Sequence, residues 1–170
     1  MALNLATRIV RRGAASSRRL GTEIAILGAG ITGVSAALEA ARLGRKVVLV
    51  DGAPSLGGQA VGAVIGTFCG FYSNGPAPYQ VTHGIADDIL HDLGAAGALH
   101  FIRGRRNTTI VQYREAALGR WIETALLAAG VELLPGALLL EASRDGGRLA
   151  AARFATRYGE VAVEADGFID

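Results

Sequence analysis

The sequence of 170 residues predicts an α/β domain, a parallel sheet with helices and a β-meander layer. Three observations predict it. Short apolar runs alternate with stretches of helical periodicity through residue 130. A glycine-punctuated turn, ILGAGITG at 26–33, joins the first such run to the first helix. The last forty residues then change to period-two alternation broken by turn residues.

Composition sets the frame. The chain is long enough for one domain with a real core and too short for two. Hydrophobic residues make up 51% and charged ones 19%, with 24 glycines, which suits close helix–sheet contacts in an α/β domain. No apolar run reaches about 18 residues without a charge or turn signal, so no membrane span is expected. A single cysteine, Cys69, rules out an internal disulfide framework.

The net charge of +2 is unevenly placed. Residues 1–22 hold five arginines (Arg8, Arg11, Arg12, Arg18 and Arg19) and no acid, leaving twelve Lys/Arg against fifteen Asp/Glu in 23–170. The mildly acidic body gives no electrostatic reason to expect nucleic acid. We take 1–22 as a basic, disordered leader and 23–170 as the domain. Arginines, serines and no acids is also the composition of a mitochondrial transit segment. The expectation is a cytoplasmic protein, with a mitochondrial one as the alternative. The pair Arg18-Arg19 occurs in twin-arginine export signals too, but the apolar stretch after it reads better as a first strand.

The elements follow in order. Glu23 to Leu27 (EIAIL) is a short buried parallel strand closed by glycine. Ile31 to Leu43 is a helix with Val34, Ala37, Leu38 and Ala41 on one face, ended by a left-handed Gly44. Lys46 to Val50 (KVVLV) is a second buried strand leading to Asp51, completing a βαβ unit. Residues 52–80 are loop-like around a weak apolar run, AVIGTF. Thr82 to Ala95 is an amphipathic helix with Ile85, Ile89, Leu90 and Leu93 together, and 101–113 is mixed. Arg114 to Ala129 is a further helix, stopped at Gly130. VELL at 131–134 and ALLLEAS at 137–143 are strands. A DGG turn leads to RLAAARFAT, a turn at Gly159 to EVAVEA, and GFID begins another strand.

Gly28, Gly30 and Gly33 spell G-x-G-x-x-G between a strand and a helix, where the pattern has physical meaning. Gly28 permits the tight turn, Gly30 lets the backbone approach a pyrophosphate, and Gly33 lets the helix lie close to the strand. Free N–H groups and roughly half a positive charge at the helix N-terminus then face the phosphates. Asp51, 18 residues beyond Gly33, can accept hydrogen bonds from ribose hydroxyls, and its charge opposes the 2′-phosphate of NADP. These features predict a Rossmann-like dinucleotide-binding domain. Between NAD and FAD, the pair Gly57-Gly58 in LGGQA (56–60) is either a flexible turn or, as it resembles the extended fingerprint of two-dinucleotide-binding flavoproteins, a second close approach to the FAD pyrophosphate, which ordinary NAD dehydrogenases do not require.

Residues 23–170 resemble the FAD-dependent oxidoreductase family that includes heterodisulfide-reductase-like, two-dinucleotide-binding-domain flavoproteins. The resemblance is carried by AILGAGITGVSAALEAARLGRKVVLVD, LGGQA, LLAAGVELL, the DGG hairpin and the closing GFID. It implies FAD held by Gly28, Gly30, Ile31, Gly33, Asp51, Gly57, Gly58 and Gln59, with the backbone near Leu139 against the adenine. In that family an A-T-G-D type motif follows the last strand. Here Asp170 is the final residue, so the expectation is a fragment, the N-terminal FAD-binding portion. The implied activity is flavin-dependent hydride or electron transfer on a small-molecule substrate, whose defining residues lie mostly beyond position 170, so this segment alone is insufficient for activity. An NAD-dependent dehydrogenase and a non-catalytic nucleotide-binding module are the other classes. No acid, base or nucleophile is assigned.

Other residues carry weaker chemistry. Cys69 is expected as a small buried side chain rather than a redox thiol. Phe71 and Tyr72 belong to an ordered loop near the site. His83, His91 and His100, eight and nine residues apart, make no metal-ligand set. Arg103, Arg105 and Arg106 form a solvated cluster, without the aromatic interleaving of nucleic-acid surfaces.

Overall fold

A computed structural model describes residues 16–170. Strand β1 (Ser16–Leu27) leads through the glycine turn into helix α1 (Ile31–Arg42), which Gly44 at φ +75° helps to end, and strand β2 (Val47–Asp51) follows. The short helix α2 (Gln59–Gly62) and strand β3 (Thr67–Cys69) precede helix α3 (Ile85–Ala95). Strands β4 (Leu99–Arg103) and β5 (Thr109–Tyr113) flank a 3-10 turn, and helix α4 (Glu115–Ala128) comes next. Strands β6 (Glu132–Pro135), β7 (Leu138–Asp145), β8 (Arg148–Thr156) and β9 (Gly159–Ile169) complete the chain.

The main sheet has six strands in the order β6-β2-β1-β9-β8-β7. The first four run parallel, and β8 and β7 join antiparallel as the meander. Period-two alternation divides the residues of β1 and β2 between two apolar layers. Ile26, Val47 and Leu49 lie in one, with Val34 and Leu38 of α1, Ile89 and Leu93 of α3, and Leu118, Ile122 and Leu126 of α4. Ala25, Val48 and Val50 lie in the other, with Ala152 and Phe154 of β8 and Val161 and Val163 of β9. A three-stranded antiparallel sheet, β3-β5-β4, stands apart.

Several expectations need correction. The first strand already includes Ser16, the first described residue, so residues 16–22 belong to the fold, while residues 1–15 lie outside the described residues together with their expected disorder and transit role. Ser16 to Thr22 pair in parallel with Gly159 to Ala165. Leu20 is buried against the meander, and Arg18 and Arg19 form ion pairs with Glu132 and Glu164. GFID is no new strand: β9 is continuous, its early part bonded to β8 and its whole length to β1. The weak run AVIGTF yields β3 because β5 offers it an antiparallel partner, with Phe68 opposite Val111. The mixed stretch 101–113 is a hairpin whose turn places Arg106 and Asn107 at φ +61° and +57°. Helix α3 starts at Ile85 rather than Thr82 because Asp87 accepts the Gly84 N–H at 2.9 Å and fixes the first turn there.

Candidate functional site

The C-terminal ends of β1 and β2 create the site, since side-by-side parallel strands leave a crevice beyond their carboxyl ends. The Gly28 N–H donates to the Val50 carbonyl at 2.7 Å, carrying the pairing of the two strands into the turn. Gly28 then adopts φ +103°, a conformation that L side chains rarely take. An added Cβ at Gly28 or Gly30 would meet no protein atom within 4 Å. At Gly33 a Cβ would overlap the Gly28 carbonyl oxygen, so this glycine serves the close approach of α1 to the turn. Helix α1 has no side-chain cap and no acid in its first turn, leaving its N-terminal N–H groups and dipole open to an anion.

The second glycine pair is joined to the first. The Gly57 N–H donates to the Ala29 carbonyl at 2.7 Å, and Gly57 and Gly30 form a parallel β-bridge. A Cβ at Gly58 would approach the Gly30 Cα to 2.9 Å, and Gly57 and Gly58 sit at φ +95° and +52°. Both positions therefore require glycine, and LGGQA lies against the first loop. Gln59 opens α2 as an exposed side chain beside this junction. The Tyr113 hydroxyl holds α2 by donating to the Ala60 carbonyl at 2.8 Å.

Asp51 is central. Its Oδ2 accepts the Ala29 N–H at 2.5 Å and its Oδ1 the Ala53 N–H at 2.6 Å. The Asp51 carbonyl accepts the Ala137 N–H at 2.9 Å, which draws in the start of the meander. A cavity of about 600 Å³ is lined by Gly28, Asp51, Leu139, Ala152, Phe154 and Phe168, among others. It brings Gly28 and Asp51 together with Leu139, a residue 88 positions beyond Asp51. Ile31 instead faces a separate groove between α1 and the start of α3, with Thr32, Phe71 and His83. The two phenylalanines of the cavity carry no local signal in the sequence; only the pairing of β8 and β9 with β1 brings them here.

The remaining candidates are placed outside the cradle. Cys69 is exposed, against the expectation of burial, because alternation along β3 turns Phe68 inward onto the Tyr113 ring and Cys69 outward. Phe71 stacks on Phe68 with centroids 4.9 Å apart, and Tyr72 meets Phe101 edge-on. His83 and His91 lie beside Asp87 and Asp92, and His100 is exposed on β4. Asp87 is partly desolvated, yet the Gly84 N–H, Gln80 and His83 hold its carboxyl below the usual range. Arg103 is tied down by bonds to Thr109 Oγ1 and the Gly75 carbonyl, while Arg105 and Arg106 are exposed. Among the described residues, no helix is long and apolar enough to cross a membrane.

A glycine turn on a βαβ unit, an acid at the end of the second strand and a meander beyond it define a dinucleotide-binding protein of Rossmann-like fold. The sequence profile of the FAD dependent oxidoreductase family matches residues 23–170, and the chain belongs to that family. The cofactor this indicates is FAD. The fold resembles that of the THI4 protein of Thermovibrio ammonificans, with TM-score 0.58 and 15% identity over 88% of this chain and 57% of that one. It also resembles a geranylgeranyl bacteriochlorophyll reductase-like protein of Thermoplasma acidophilum, with TM-score 0.59 and 15% identity over 88% and 38%. A third is 3-ketosteroid-Δ4-(5α)-dehydrogenase of Rhodococcus jostii, with TM-score 0.59 and 16% identity over 86% and 44%. The chain thus spans 57% of the first of these proteins and 38% of the second. No curated protein matches the sequence.

Proposed function

We propose that this chain is the FAD-binding part of a flavin-dependent oxidoreductase acting on a small-molecule substrate. The observation that carries the reading is the junction of two glycine turns at the head of α1, with open space where a side chain at Gly28 or Gly30 would project. Open space above a glycine turn, beside the uncapped head of a helix, fits a pyrophosphate seated against backbone N–H groups.

In this reading Gly28, Gly30, Ile31 and Gly33 present the backbone of the turn and the first turn of α1 to the pyrophosphate. Gly57, Gly58 and Gln59 bound it from the other side, and Asp51 receives the ribose hydroxyls. Leu139, with Phe154 and Phe168 nearby, offers an apolar wall to the adenine. The bound flavin would supply hydride or electron transfer. The residues of this chain bind it, orient it and exclude water along the adenosine half.

Gly30→Val tests the reading. Gly30 has φ −66° and ψ 176°, an extended conformation open to valine, and a Cβ there touches no protein atom. The variant is expected to fold with the unfolding midpoint of the flavin-free parent and to purify without flavin, while the parent protein purifies yellow. Flavin content equal to the parent's, read from the visible spectrum, would remove the loop from the site.

A further inference from the structure

We infer that Asp51 is a positioning residue that assembles the cradle before any nucleotide arrives. The carboxylate adds a side-chain tie between two segments that backbone bonds bring side by side. Oδ2 takes the N–H of Ala29, inside the glycine turn, and Oδ1 that of Ala53, just beyond β2. Two backbone bonds extend the same cluster. The Ala29 carbonyl takes the Gly57 N–H and the Ala53 carbonyl the Gly136 N–H, at 2.7 and 2.9 Å. The side chain therefore ties the first glycine turn to the loop after β2, and backbone bonds from the same two residues reach the second glycine pair and the entry to the meander.

Ala29 is fully buried, so its N–H has no water to turn to if the carboxylate is lost. A carboxylate has about four lone-pair sites, and the clamp uses two of them. Asp51 can thus hold the loop and still accept ribose hydroxyls. An asparagine cannot do the first task, since it offers one carbonyl oxygen and directs its NH₂ toward one of the two N–H donors. The cost of ordering the loop is then met during folding, and binding becomes docking onto a formed surface.

The clamp concerns the protein without nucleotide, whereas its effect on affinity rests on the reading of the cradle as an FAD site. The test uses the full chain stripped of flavin. In Asp51→Asn the thermal midpoint is expected to fall by roughly 3–10 °C, as for a buried donor left unpaired in a domain of this size. Exchange of the Ala29 amide should accelerate at least tenfold, and FAD affinity should fall at least tenfold. An unchanged midpoint and unchanged exchange, with only FAD affinity reduced, would overturn the clamp and leave Asp51 a ribose ligand alone. A parent chain that binds no FAD would defeat the functional reading, while the flavin-free midpoint still judges the clamp. If the variant does not fold, the parent decides: an Ala29 amide that exchanges freely in the flavin-free chain rejects the inference, and a protected one supports it.

Discussion

At Gly33 an added Cβ would overlap the carbonyl oxygen of Gly28, whereas at Gly30 it would meet nothing within 4 Å. Substitution should therefore separate the two glycines by what fails. Gly33→Ala must push α1 away from the turn, an overpacking that costs about 1–3 kcal/mol. Denaturant unfolding of the flavin-free variant should show this loss, in contrast to the unchanged stability expected of Gly30→Val. Equal stability of Gly33→Ala and the parent would mean that the helix can shift at no cost. Tyr113 offers a second test at this scale. Burial, with the nearby Glu115 carboxylate, raises its pKa above the ordinary value, so the folded chain holds the phenol proton more tightly than the unfolded one. Its contribution to stability is complete below pH of about 10 and declines as pH rises through the folded value. Tyr113→Phe should lose about 1 kcal/mol at neutral pH with the bond to Ala60, and should also show a shallower alkaline decline. Urea titrations at pH 7, 9.5 and 10.5 would measure both; parallel declines of variant and parent would exclude Tyr113 as the titrating group.

Among the elements, β1 shows what a local reading can and cannot see. Its second half, EIAIL, is legible because four of its five residues are apolar and a glycine closes it. Its first half carries Ser16, Ser17, Arg18 and Arg19, and in isolation looks like solvated leader. The acids that meet those arginines, Glu132 and Glu164, are more than a hundred residues away, and so is β9, which supplies the backbone partners. Long-range pairing likewise makes GFID a continuation of β9 and turns the weak run at 63–68 into part of a sheet. Helices α1, α3 and α4 were legible to within three residues at each end, since their apolar spacing is local. Residues 16–22 should accordingly bear on stability. Leu20→Ala removes a side chain buried with Val161 and Val163, and is expected to cost about 2 kcal/mol in urea unfolding. Arg19→Ala, at an exposed ion pair, should cost under about 1 kcal/mol. A Leu20→Ala chain as stable as its parent would show that the early part of β1 contributes nothing to the folded core.

In the whole molecule, two apolar layers enclose a mainly parallel sheet and leave the carboxyl ends of β1 and β2 open, so the position of the cradle follows from topology. The glycine turn between β1 and α1 and the place of Asp51 at the end of β2 were legible because both lie within one local βαβ unit. The bond from the Ala29 N–H to Asp51 and the cavity wall of Phe154 and Phe168 were not, because they depend on how segments separated along the chain meet. A site formed before its ligand arrives stabilises the fold on binding by mass action alone, with no rearrangement required. At FAD concentrations about a hundredfold above its dissociation constant, the gain is about 2.7 kcal/mol. In a domain of this size that corresponds to a rise of about 5–10 °C in the thermal midpoint of the flavin-free chain. ADP shares the adenosine and pyrophosphate half and should raise the midpoint at sufficient concentration. Gly30→Val should abolish both shifts, because its side chain occupies the space above the turn without disturbing the fold. NAD at the FAD concentration should shift the parent less, because the chain belongs to a family of FAD dependent oxidoreductases. A midpoint that NAD raises as far as FAD does would assign the cradle to a nicotinamide cofactor instead.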